Sequence, residues 1–148
     1  MIDVTPSTVT FETLRVLVAE DDSDCRESME EAVRFLGFSC ATARDGVEAW
    51  EMHEAVPVDV ILSDWAMPRM TGFVLCQRLH AKTPNQPYTH FIFVTGNKDE
   101  EHVINGRKAG ANDFIAKPVD LNHLRASLES ANRIVTLRRA QEKAESER

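Results

Sequence analysis

No apolar run in the chain approaches the length of a membrane span, and the N-terminus lacks the basic-then-apolar pattern of a secretory signal. Cysteine is scarce: the 148 residues hold only Cys25, Cys40 and Cys76, far apart and without a C-x-x-C pair. That spacing argues against a disulfide frame or a thiolate zinc site and fits free thiols in a reducing cytoplasm. Neither G-x-G-x-x-G nor a P-loop occurs, so nothing supports nucleotide or flavin binding. Clustered cations are also missing. The net charge is −7, which excludes nonspecific nucleic-acid binding by this domain, because neutralising phosphates needs grouped Lys and Arg. What remains, 43% hydrophobic and 28% charged, is ordinary for one globular domain whose core needs no staple.

Apolar and turn signals alternate along the rest of the chain. Residues 1–14 form a flexible arm, and Arg15 to Ala19 a short strand. Cys25, Met29, Ala32, Val33 and Leu36 follow at helical spacing, with Gly37 placed to end the helix in the left-handed conformation. Phe38 to Thr42, Val58 to Ser63, His90 to Thr95 and Asp113 to Ala116 read as further strands. Between them, Gly46 to Glu54, Phe73 to Ala81 and Asp99 to Ala109 read as helices, and Asp120 opens a last one. Strict alternation predicts an α/β fold, a doubly wound five-stranded parallel sheet with five flanking helices.

The polar residues fall at the strand ends. Strand one runs into Glu20-Asp21-Asp22, strand three into Asp64, strand four ends on Thr95 before Gly96, and strand five meets Lys117-Pro118. Any one of them alone reads as a cap or a turn residue. A doubly wound sheet brings all four ends to one edge, where such folds bind ligands. Carboxylates from Asp21 and Asp64 are hard oxygen ligands suited to Mg²⁺. Asp64 can then attack phosphorus, while the Thr95 hydroxyl and the Lys117 ammonium stabilise the transferred oxygens.

This constellation resembles the receiver domain of two-component response regulators. The resemblance rests on Val16 to Asp22, Asp64-Trp65-Ala66-Met67-Pro68, Gly72, Val94-Thr95-Gly96, Gly110-Ala111 and Lys117-Pro118, and covers about residues 15–131. It implies the flavodoxin-like receiver fold, with Asp64 as phosphoacceptor. Asp21 and the Ala66 backbone carbonyl would then bind Mg²⁺ directly, with Glu20 assisting through water. Thr95 and Phe114 would be the switch pair, Phe114 standing where the family often has Tyr. The implied donor is a histidine kinase or a histidine phosphotransfer protein. The chain would catalyse only its own phosphorylation and dephosphorylation, with Trp65, Ala66 and Asn97 flanking the path of attacking water.

Two other classes are weaker. A haloacid-dehalogenase-type phosphatase wants a second Asp two residues after its nucleophile, and Ala66 stands there. An interaction module keeping only the fold would not need all of these residues. Residues 132–148, free of Gly and Pro and rich in helix formers, read as a helical linker or coiled-coil tail. Leu128, Val135 and Leu137 are the candidate seam of a helix stretch from Leu121 to Ala144 that runs into it. The tail is expected to support a weak homodimer or to lead to an output domain beyond this sequence.

Overall fold

The computed structural model describes residues 14–81, 86–96 and 99–147. The expectations for an arm over residues 1–13, for part of the proline-containing loop (82–85) and for Asn97 lie outside them. Strands β1 (Arg15–Ala19), β2 (Ser39–Ala43), β3 (Val60–Ser63), β4 (His90–Thr95) and β5 (Asp113–Ala116) alternate with helices α1 (Ser23–Phe35), α2 (Gly46–Ala55), α3 (Gly72–His80), α4 (Glu100–Ala109) and α5 (Leu121–Ser146). The sheet is wholly parallel in the order β2-β1-β3-β4-β5. Sequence order therefore reverses between β1 and β3, which opens a crevice at their carboxyl ends.

Strand periodicity decides which helix covers which face. Val16, Val18, Val60, Leu62, Ile92, Val94 and Ile115 point to a core shared with Met29 and Val33 of α1 and with Leu124, Leu128 and Ala131 of α5. Their neighbours Leu17, Ala19, Ile61, Phe91 and Phe93 point the other way, against Ala49 of α2, Leu75 and Cys76 of α3 and Ala109 of α4. Burial on both faces explains why β3 and β4 read as continuous apolar runs rather than alternating ones. Each helix start carries a side-chain cap: Asp22, Asp45, Thr71, Asp99 and Asp120 each accept a backbone N–H from the first turn. Gly37 (φ 97°) and Gly110 (φ 115°) take the left-handed conformation after α1 and α4.

Two expectations change. Leu14, placed in the flexible arm, is only 3% exposed, because its side chain closes the α1–α5 core. Its carbonyl also accepts the Ser39 N–H at 3.2 Å. The residues expected to face a partner along the tail are also divided differently. Leu128 and Val135 are buried within the chain, at 0% and 3% exposure, while Leu137 stays 60% exposed. Helix α5 runs unbroken to Ser146 and is tied to the amino edge of the sheet well beyond its apolar stripe. Arg139 donates to the Tyr88 carbonyl at 2.7 Å and pairs with Asp59 at 2.9 Å. Glu142 accepts the Tyr88 N–H at 2.9 Å, and the Arg138 guanidinium lies 4.5 Å from the centre of the Tyr88 ring.

Candidate functional site

The loop after β3 is built to present Asp64. Its N–H donates to the Ala19 carbonyl of β1 at 3.0 Å, which ties it to the crevice where strand order reverses. The next amide, Trp65 N–H, donates to Asp64 Oδ1 at 2.8 Å, and Ser63 Oγ donates to the Asp64 carbonyl at 2.8 Å. The loop then folds back so closely that a Cβ on Gly72 would overlap the Asp64 carbonyl. The Gly72 N–H closes the turn on the Trp65 carbonyl at 2.8 Å. Arg69 holds the loop from outside through Asp45, with Nε 2.9 Å from Oδ2.

Three carboxylates converge here. Glu20, Asp21 and Asp64 place one oxygen each within 4.8 Å of one another. Glu20 is 1% exposed, Asp64 half-buried and Asp21 exposed, so the group opens toward solvent on the Asp21 side. Lys117 reaches in from the end of β5, its Nζ 2.6 Å from Glu20 Oε1 and 3.4 Å from Asp64 Oδ2. Burial, with the Glu20 charge added to it, pushes the Asp64 carboxyl above the ordinary carboxylate range despite Lys117. Burial alone would lower Lys117, but its hydrogen bond to Glu20 and the Asp64 charge raise it, so it stays a cation. An all-oxygen donor set with surplus negative charge and an open side fits a small hard divalent ion that keeps several waters.

The other expected residues sit around this group. Thr95 ends β4 and is 3% exposed; its carbonyl accepts the Lys117 N–H at 3.1 Å, which joins the β4 and β5 ends. Phe114 is buried, stacked on Phe93 with ring centres 5.5 Å apart, and so close to α4 that a Cβ on Gly106 would collide with its ring. Ala66 lies exposed in the loop, with no side chain able to serve as a general acid.

Some contacts around the site carried no signal in the sequence. Arg26 Nη1 donates to the Glu20 carbonyl at 2.9 Å, which pins the acidic segment from α1. Cys25 lines a groove of about 610 Å³ beside Lys117, between α1 and the turn into α5. Burial, and then the Glu20 charge, push its thiol up to about 11, so it is a poor nucleophile at neutral pH. Trp65 packs its ring against Phe73, Phe93 and His102, residues of three different elements. Only contacts across the fold bring them together.

A doubly wound parallel sheet with an acidic, lysine-bearing crevice at its switch point defines the class. The response regulator receiver domain family matches residues 16–129, and the chain belongs to that family. Response regulator MprA from Mycobacterium tuberculosis (strain ATCC 25618 / H37Rv) is 33% identical over 115 residues, 78% of this chain and 49% of the relative. MprA from Mycobacterium avium (strain 104) matches to the same extent. The chain thus spans about half the length of the curated relatives it matches. Among solved structures, the Francisella response regulator 1452 receiver domain superposes with a TM-score of 0.75 at 28% identity, covering 82% of this chain and 98% of that one. Vibrio cholerae chemotaxis protein CheY4 gives a TM-score of 0.72 at 27% identity, covering 80% and 98%. No helix among the described residues is long and apolar enough to cross a membrane.

Proposed function

We propose that this receiver domain takes a phosphoryl group onto Asp64 from the phosphohistidine of a histidine kinase or phosphotransfer protein. An Asp64 oxygen would bond to phosphorus as the phosphorus–nitrogen bond breaks, and the departing imidazole would keep the nitrogen lone pair and take a proton from solvent. The observation that carries the reading is the charge at the β1–β3 crevice, where three carboxylates converge and Lys117 pairs with two of them, Glu20 and Asp64. Asp21, Asp64 and the Ala66 carbonyl would hold Mg²⁺, with Glu20 bound through water. Bound there, the ion offsets the repulsion between these carboxylates and the incoming anion. Lys117 would turn from Glu20 toward the phosphoryl oxygens, and the Thr95 hydroxyl would donate to them. Phe114 would follow into the space that Thr95 leaves, which carries the change to α4, β5 and α5.

Charge-assisted hydrogen bonds contribute about 1.5–3 kcal/mol each. Two or three therefore approach the roughly 5.5 kcal/mol that takes a two-state equilibrium from 1:99 to 99:1. The chain would act catalytically on itself alone, in the cytoplasm. Its state would pass to a partner, to a further domain joined through α5, or to a second copy held weakly along the outer face of α5.

The test is direct. Incubation with acetyl phosphate and Mg²⁺ should add one phosphoryl group by intact mass, in a form that hydroxylamine removes. Asp64→Asn should show no gain, and a gain equal to the parent's would sink the assignment.

A further inference from the structure

Trp65 joins the acceptor to α4 by a route that the proposed switch pair does not use. Its N–H holds Asp64 Oδ1 at 2.8 Å, while its ring meets three others. Phe93 of β4 and Phe73 of α3 lie at centre-to-centre distances of 4.8 Å and 5.2 Å and belong to the packed scaffold. The third ring is His102, which meets Trp65 edge-on at 4.6 Å and 66°. His102 lies in the first turn of α4, and its Nδ1 sits 2.9 and 3.0 Å from the two oxygens of Asp99. A carboxylate only accepts, so Nδ1 carries the hydrogen and the ring orientation is set by the cap of α4. Asp99 also accepts the His102 N–H at 2.8 Å. The cap residue stands four positions after Thr95 in the chain.

We infer that His102 is a positioning residue: braced by Asp99, it holds Trp65, and through the Trp65 amide the Asp64 carboxylate, in the arrangement of the unloaded site. The inference rests on the phosphoacceptor reading above. If the change carried to α4 displaces its first turn, the Asp99 cap and His102 move together, because Asp99 holds both the His102 N–H and its Nδ1. Trp65 stays behind, because its other ring contacts are to Phe93 within the sheet and Phe73 at the start of α3. The edge-on contact therefore belongs to the unloaded state and opposes loading by its own worth, as any interaction made in only one of two states must. A lone surface histidine on a polar helix would only cap or solvate. Contact with the residue next to the acceptor makes this one part of the switch.

The experiment uses the full chain carrying Trp50→Phe, so that Trp65 alone reports by fluorescence. Beryllofluoride is titrated at saturating Mg²⁺, with ¹⁹F NMR of the bound fluoride as an independent measure of occupancy. His102→Ala should lower the titration midpoint by about twofold to tenfold, the range expected for loss of one aromatic contact from the unloaded state. His102→Phe keeps a ring edge and should return the midpoint toward the parent's, a rescue that a purely structural lesion would not show. A midpoint unchanged or raised in His102→Ala, or a Phe variant matching the Ala variant, overturns the brace while leaving the acceptor assignment standing. A parent that takes up no beryllofluoride overturns the acceptor reading, and the brace falls with it.

Discussion

At the amino edge of the sheet, Arg139 meets Asp59 at 2.9 Å and donates to the Tyr88 carbonyl, and Glu142 accepts the Tyr88 N–H. Asp59 also accepts the Arg15 N–H at 2.9 Å, while the Arg15 guanidinium donates to the Pro57 carbonyl at 2.7 Å. Each of these charges has a partner of opposite sign or a backbone group that it satisfies. At the carboxyl edge, Glu20, Asp21 and Asp64 crowd within 4.8 Å of one another, and Lys117 is the cation between Glu20 and Asp64. The same sheet thus carries matched charge at one end and surplus charge at the other. Matched charge is a fastening made within the chain. Surplus charge is unfavourable alone and becomes favourable when a cation arrives, which is what a site for Mg²⁺ and an incoming anion requires.

Breaking the fastened edge should give the largest loss of stability. Removing residues 133–148 strips Val135 from the core, worth about 1.5–3 kcal/mol for a fully buried side chain. It also removes the charged hydrogen bonds of Arg139, worth about 1.5–3 kcal/mol each. Arg139→Ala alone should show the second part, and urea unfolding should resolve it as a lower midpoint. If truncation leaves the midpoint where it was, α5 beyond Asn132 is a linker and the clamp contributes nothing.

The surplus-charge edge should respond to metal in the opposite sense. A ligand that binds only the folded chain stabilises it by about 2.7 kcal/mol at a hundred times its dissociation constant. Mg²⁺ should therefore raise the melting temperature of the parent, and Arg139→Ala should keep that increment even though it starts lower. Asp21→Ala should lose most of the increment. Equal Mg²⁺ shifts in Asp21→Ala and the parent would place the ion elsewhere.

Proton linkage at Asp64 sharpens the contrast further. Its folded pKa lies above the ordinary carboxylate value, through burial first and the Glu20 charge second. In the window between the unfolded and folded pKa values, the folded chain holds more protons, so stability falls as pH rises through it. Above that window the ionised group remains a constant penalty. Asp64→Asn removes the penalty and should be more resistant to urea than the parent at neutral pH without Mg²⁺. The gap should close as pH drops through that window, from the raised folded value down to the ordinary carboxylate value, and saturating Mg²⁺ should reverse the order. A variant less stable than the parent at neutral pH without Mg²⁺ would show that Asp64 is compensated after all.

The carboxyl edge was legible in the sequence because parallel strands deliver their ends to one place, so Glu20, Asp21, Asp64, Thr95 and Lys117 could be gathered without coordinates. Element order was legible for the same reason, and helix ends followed from Gly37, Asp99 and Asp120. The amino edge was not. Arg139 and Glu142 read as solvated charges on a tail, since helical period alone does not reveal that Tyr88 and Asp59 lie beneath that turn. Leu14 looked like the end of a loose arm because one apolar residue beside a strand has no period. His102 was equally silent: its role depends on a ring contact 37 positions away in sequence, with Trp65. Strand-end chemistry can be read locally, whereas long-range packing between helices cannot.

The smallest effect expected is self-association, and the structure narrows where to look for it. Leu128 and Val135 already face the core, so the outer stripe of α5 is left with Ile134 at 38% exposure and Leu137 at 60%. Burying a leucine or isoleucine contributes about 1.5–3 kcal/mol, and association costs about 4–15 kcal/mol before any surplus appears. Both side chains are already partly covered, so two from each of two copies release only part of that and reach no more than the low end of the cost, which predicts at most a dimer seen only at high concentration. Because α5 belongs to the proposed readout surface, Mg²⁺ with beryllofluoride should strengthen it. Truncation after Asn132 is a poor test, since it also removes Val135 and Arg139 from the fold. Leu137→Glu is cleaner, because the position is exposed and the helix tolerates glutamate. Sedimentation of the parent should show average mass rising with the phosphoryl mimic, while Leu137→Glu stays monomeric under both conditions. A parent that is monomeric throughout, or a Leu137→Glu chain that associates equally, would remove the outer face of α5 from the readout and leave the helix to its packing and clamp within the chain.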